Sequence, residues 1–75
     1  MTGGAVVAIG ERTRVSGFAL AGVEVLVAER PEAVRQAWDG LPAGVGLVIV
    51  TPAAAAALGA PAPDRESPLV VVMPP

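Results

Sequence analysis

A chain of 75 residues is long enough for one small domain, and a domain of that size buries only about 60% of the surface that its unfolded chain exposes. The sequence is 53% hydrophobic but has one Phe, one Trp and no Tyr, so we expect a thin core built mainly from Ala and Val. The absence of Cys and His excludes disulfides, zinc sites, thiol nucleophiles and imidazole acid–base chemistry. A net charge of −2 without Lys excludes the basic surface of a typical nucleic-acid-binding domain.

The beginning of the chain has no basic start and no cleavage site of the kind that marks a signal peptide. No apolar run approaches the roughly 18 residues that a membrane helix needs. We therefore expect a single cytoplasmic domain over residues 1–75, with no direct membrane insertion.

Four short apolar runs lack the polar alternation of a half-exposed strand, and this pattern is typical of strands that are covered on both faces. They predict strands over residues 5–9, 23–27, 45–50 and 69–73. A proline-rich, charged stretch at 59–68 is expected to form the loop before the last of them.

Three helix-like stretches separate these runs. The first covers about residues 14–21, and the third covers 52–58, where five consecutive alanines favour a helix. The second begins at Pro31, which suits a first helical position, and ends at Gly40. Its apolar residues recur at helical spacing and are expected to face the sheet: Val34, Ala37, Trp38 and Leu41.

Alternating strands and helices predict an α/β fold with right-handed crossovers. By analogy with common doubly wound sheets, we expect four parallel strands in the order 2-1-3-4 with helices on both faces. This order places the switch point between the first and third strands, where the loop at 10–13 would face residues 51–52.

The first loop is a candidate anion or nucleotide site, because a helix N-terminus offers free N–H groups and the positive end of the dipole. Thr13 is the candidate N-cap, and Arg12 and Arg14 would add positive charge. However, the next glycine after Gly10 is Gly17, a spacing that matches neither G-x-G-x-x-G nor a P-loop. We expect Gly17 to allow close packing of the first helix on the sheet. A free-standing module that binds an anion or nucleotide at this loop is our alternative hypothesis.

Catalytic constellations are not found. A receiver-like phosphoacceptor site would need an Asp where the third strand ends in Thr51, and it would need a Lys, which the chain lacks. Ser16 and Ser67 have no base to activate them. We predict no catalytic residues, cofactor or metal.

The first predicted helix carries two apolar stripes, one with Leu20 and one with Val15 and Phe18. The stripe centres lie roughly 130° apart around a helix with about 100° per residue, so one sheet face cannot cover both. Phe18 is therefore either part of the core or available to a partner.

Three motifs in order indicate a known family. The first is Ile9-Gly10 followed, after six residues, by Gly17-Phe18-x-Leu20-Ala21-Gly22. The second is the run from Leu47 to Thr51, and the third is Pro68 through Pro74-Pro75. Their order and spacing resemble the F subunit of the V-type/A-type ATPases (ATP synthases) over almost the whole chain.

The resemblance implies a small Rossmann-like domain without catalytic residues of its own. It implies a place on the central rotor stalk beside the coiled-coil D subunit, where the F subunit helps to couple ATP turnover to rotation and proton transport. Carried over to this chain, the contact surface comprises Glu11, Arg12, Thr13, Arg14 and Phe18. Family members usually continue into a C-terminal helix, which we expect this chain to lack because it ends at Pro75.

Overall fold

The computed structural model describes residues 4–59 and 69–74. In chain order the elements are β1 Ala5–Gly10, α1 Arg12–Val15, a 3₁₀ segment Ser16–Ala21, β2 Glu24–Val27, α2 Pro31–Asp39, β3 Val45–Val50, α3 Pro52–Leu58 and β4 Leu69–Val72. The predicted proline-rich loop at 59–68 lies outside the described residues, except for Gly59.

The four strands form one parallel sheet in the order β2-β1-β3-β4. Both the α/β class and the strand order predicted from the sequence are confirmed. β1 lies at the centre because it pairs with β2 on one side and with β3 on the other. The register aligns Ile9 with Leu26 in β2 and with Val50 in β3.

The core lies between the two central strands and the helices α2 and α3. Its members are small aliphatic side chains, as the composition predicts: Val7, Ile9, Ala28, Val34, Val48, Val50 and Ala54. Around them pack partly buried residues that include Ala37, Trp38 and Leu41 of the predicted apolar stripe. The prediction that this side of α2 faces the sheet is therefore confirmed.

The predicted first helix is wrong in form. Only residues 12–15 are α-helical, and the 3₁₀ segment follows them. It ends at Gly22, which adopts the left-handed conformation with φ 83°. Gly and Ser are weak helix formers, so residues 16–17 do little to propagate the α-helix.

The exposure of the side chains in this region does not follow the two predicted stripes. Val15 is fully buried and Phe18 is half-buried, whereas Leu20 is 94% exposed. Gly17 is exposed and a Cβ on it would meet no atom within 4 Å, so the expected close packing of Gly17 on the sheet is wrong. Val15 occupies the position against the sheet instead, and Gly17 faces away from it.

Gly10 is a glycine that close packing at the carboxyl end of β1 requires. A Cβ on Gly10 would lie 2.7 Å from the Thr51 Oγ1, nearer than real Cβ atoms approach. We expect Gly10→Ala to lower the free energy of unfolding by about 1–3 kcal/mol, the usual cost of overpacking. Gly17→Ala is the matched control, expected to be neutral or stabilising by up to about 1 kcal/mol because alanine restricts the unfolded chain. Urea denaturation of both variants checks this, and equal destabilisation would contradict it.

Candidate functional site

The carboxyl ends of β1, β2 and β3 meet at one edge of the sheet. The backbone N–H of Ala28 donates to the carbonyl of Gly10 at 2.8 Å, and that of Thr51 donates to the carbonyl of Ile9 at 3.2 Å. The first bond joins the end of β1 to the residue after β2, and the second brings the end of β1 against the start of α3. The predicted approach of residues 10–13 to residues 51–52 is present in the structure.

Thr51 connects the loop after β1 to the start of α3 at this edge. It is fully buried, and as the N-cap of α3 its Oγ1 accepts a hydrogen bond from the N–H of Ala54 at 3.2 Å. The same hydroxyl donates to the Glu11 Oε1 at 2.5 Å. One side chain therefore caps α3 and fixes the loop that precedes α1.

Glu11 is held as a carboxylate. The hydrogen bond from Thr51 is the main cause that lowers the pKa of Glu11, and its own backbone N–H and the positive charge of Arg14 act in the same direction. Glu11, and not Thr13, occupies the N-cap position of α1. Its side chain does not cap that helix, because it turns toward Thr51.

Glu29, which follows β2, supplies the bond at the start of α1. Its Oε2 accepts a hydrogen bond from the backbone N–H of Arg12 at 3.0 Å. An anionic ligand at this loop would have to displace Glu29 and approach the ionised Glu11. The arrangement therefore opposes the alternative hypothesis of an anion or nucleotide site.

A shallow pocket of about 100 Å³ lies at the same edge. Its walls include Ala28, Val34 and Ala54, together with the two glutamates Glu11 and Glu29. Small-molecule sites usually enclose about 300–1,000 Å³. The pocket is too small for a nucleotide. Arg30 also lines it, but its guanidinium lies 3.2 Å from the Glu32 carboxylate, and the two glutamates of the wall outnumber it, which disfavours a phosphate.

Four of the predicted contact residues lie at this edge, at positions 11–14, whereas Phe18 lies near the amino end of β2, where its carbonyl accepts a hydrogen bond from the N–H of Val23. Arg12, Thr13 and Arg14 are exposed on α1, whereas Glu11 and Phe18 are half-buried. The Nη2 of Arg14 donates to the carbonyl of Pro74, just beyond β4, at 2.8 Å. Phe18 is half-buried, but it is not among the partly buried residues that pack against the core beneath α2 and α3.

Sequence reasoning missed the roles of Thr51 and Glu29. A signal existed for Thr51, because threonine before a proline at the first helical position is a recognisable N-cap pattern. Glu29 carried no local signal, since its partner Arg12 lies 17 residues earlier in the chain.

Two further properties of the described residues bear on function. Within residues 4–59 and 69–74, no three side chains of the ligating kinds come close enough together to hold a metal ion. No helix in that part of the chain combines the length and the hydropathy required to cross a bilayer.

The hydroxyl of Thr51 is expected to be the stabilising group of this edge. Thr51→Val keeps the shape but leaves Ala54 N–H and Glu11 without their partner, so the free energy of unfolding should fall by about 1–2 kcal/mol. Thr51→Ser keeps the hydroxyl and should lose less. Chemical denaturation at neutral pH measures both, and a valine variant as stable as the wild type would contradict the assignment.

The same bond predicts a pH dependence. Because folding lowers the pKa of Glu11 from its ordinary value of 4.5, its stabilisation is present above that value and is lost as the pH falls through the folded pKa. Stability measured from about pH 6 to about pH 3 should decline more steeply in the wild type than in Glu11→Gln. Parallel curves for the two proteins would show that Glu11 does not carry this effect.

Comparison with known sequences agrees with this architecture. The family described as ATP synthase (F/14-kDa) subunit matches residues 6–75, which include every strand and helix of the fold except the first residue of β1. No curated protein sequence matches the chain. The family match confirms the resemblance that the Gly10 and Gly17-Phe18 spacing predicts. The chain belongs to the F/14-kDa family of V/A-type ATP synthase subunits, and its role is that of one component of such an ATPase complex.

Proposed function

We propose that the chain is a non-catalytic component of the central stalk, or rotor, of a V/A-type proton-translocating ATPase. It docks on a coiled-coil shaft similar to the D subunit and couples ATP hydrolysis or synthesis to rotation, peripheral to the membrane and without a cofactor. The observation that carries this proposal is the family match over residues 6–75.

The geometry of the first loop supports a docking role. We call the residues Glu11, Arg12, Thr13, Arg14 and Phe18 the docking segment. The Thr51 hydroxyl fixes its first residue and the Glu29 carboxylate fixes the next backbone N–H, while Arg12 is exposed and the exposed Arg14 is held by the Pro74 carbonyl. A segment that is already ordered loses little conformational entropy on binding, which favours association.

The state of the carboxylates supports a non-catalytic role. Glu11 accepts from Thr51 and Glu29 accepts from Arg12 N–H, so both glutamates at the carboxyl edge have structural hydrogen bonds. A general base works near neutral pH with a raised carboxyl pKa, whereas the pKa of Glu11 is lowered. The sequence has no His or Cys to take that role.

The thin core gives a second reason to expect a partner. Its largest fully buried side chains are Ile9, four valines and Thr51. A partner that binds only the folded chain stabilises it in proportion to RT ln(1 + [L]/Kd), so assembly would add to a modest intrinsic stability.

Co-expression with a homologue of the coiled-coil shaft should yield a complex that elutes as one species at micromolar concentration. Arg12→Glu in the docking segment should weaken the complex at least tenfold, or about 1.4 kcal/mol. Arg35→Glu on α2 is the matched control, because it makes the same charge change at an exposed arginine of another helix. Separate elution of the wild-type proteins would refute the proposal, and equal weakening by both variants would refute the docking segment.

A thermal-shift series with nucleotides, phosphate and sulfate separates this function from the alternative. A ligand at 100 times its dissociation constant adds about 2.7 kcal/mol to the stability of a binding protein. We expect no shift with any of them. A saturable shift that Glu29→Gln alters would instead support the anion-binding module.

A further inference from the structure

The two faces of the sheet are covered to different extents. On one face, α2 and α3 pack against Val7, Ile9, Val48 and Val50, all of which are at most 1% exposed. The opposite face is also aliphatic, because its register rows run from Val6 through Leu47 to Leu69 and from Ala8 through Ile49 to Val71.

This second face is covered only at one side. α1 contacts β1 and β2, the 3₁₀ segment contacts β2, and Val15 is fully buried there. In the part of the chain that the structure describes, no helix packs in this way on the same side of β3 and β4. There Leu69 is 74% exposed and Val71 50%, and Leu47 and Ile49 are half-buried. We call these four residues the open face.

The geometry of the open face suits a helix. Parallel sheets have helices on both faces, because their strands are aliphatic on both sides. The floor is apolar, and the helical segment at residues 12–21 lies along one side of it, where it contacts β1 and β2. An amphipathic helix laid beside that segment would cover both register rows with one apolar stripe.

The charge at one end of the open face specifies the helix further. The side chain of Arg14 reaches across the sheet edge to the carbonyl of Pro74, so its guanidinium lies at the carboxyl end of the open face. The four floor residues are all aliphatic, and Glu11, the carboxylate on which the charge of Arg14 acts, lies at the edge of the sheet and already accepts a hydrogen bond from Thr51. A partner helix with an acidic side chain at that end would complement the guanidinium.

We propose that the open face docks an amphipathic helix of another component of the complex, with an acidic side chain of that helix against Arg14. The proposal rests on the proposed function, and it extends the contact surface from the docking segment to β4. Arg14 belongs to both surfaces, which makes them continuous.

Single-cysteine labelling tests the proposal, since the chain contains no cysteine of its own. Val71 and Val72 are adjacent in β4 and 50% and 51% exposed, yet they point to opposite faces. Val71→Cys and Val72→Cys should therefore react with a maleimide at similar rates in the isolated chain. In the complex with the coiled-coil shaft, labelling of the Val71→Cys chain should slow at least tenfold and that of Val72→Cys less than twofold. Leu69→Cys repeats the test if Val71→Cys folds poorly.

The other outcomes of the labelling experiment contradict either the open face or the proposed function. A complex that protects neither cysteine, or only Val72→Cys, overturns the open face while the proposed function stands. Protection of Val71→Cys in the isolated chain overturns it too, because another segment or a second copy then covers the face; sedimentation distinguishes those two. Absence of any complex refutes the proposed function and this inference together.

Arginine variants test the charge. Arg14 and Arg35 each donate to one distant backbone carbonyl, but they lie on α1 and α2 over opposite faces of the sheet. Arg14→Gln should weaken the complex severalfold at low salt, with a smaller effect at high salt, and Arg35→Gln should not. Equal affinity of both variants would remove the acidic side chain from the proposal.

Discussion

The hydroxyl of Thr51 is the contact on which the carboxyl edge of the sheet depends. It is buried between the end of β3, the start of α3 and the loop after β1. It accepts a hydrogen bond from the N–H of Ala54 and donates one to the carboxylate of Glu11. Gly10 allows this approach because it has no Cβ. A buried polar group with both bonds made holds two loops in a fixed relation, whereas the same group unpaired would destabilise the fold.

The charges at that edge also limit which ligands can bind there. The ionised Glu11 and the capping Glu29 make the switch point acidic, although in many sheets of this kind it receives a phosphate. The exposed arginines of α1 lie beside this acidic edge. The chain has the outline of a nucleotide-binding sheet, but the two carboxylates at the critical loop oppose an anion there.

Much of this architecture could be predicted because its signals are local. Pro31 and Pro52 mark helix starts, aliphatic runs mark the strands, and right-handed crossovers leave few possible strand orders. The first helix was predicted incorrectly because the weak helix formers Ser16 and Gly17 do little to extend the α-helix of residues 12–15, and the 3₁₀ segment that follows leads directly into β2. Glu29 could not be assigned, since its bond to Arg12 depends on tertiary placement. The exposure of Leu69 and Val71 could not be predicted from the sequence either, because an aliphatic strand has the same residue pattern whether or not a helix covers it.

The central position of β1 has a consequence for synthesis. The segment Ala5–Gly10 leaves the ribosome before its two partner strands. One edge of β1 can pair only after β2, which ends at residue 27, has been synthesised, and the other only after β3, which ends at residue 50. Until then the nascent chain carries a six-residue apolar segment with unpaired amides, the kind of segment that associates with other chains. Translation must therefore pass residue 50 before β1 can be sequestered on both sides, so rapid elongation or a chaperone would protect it.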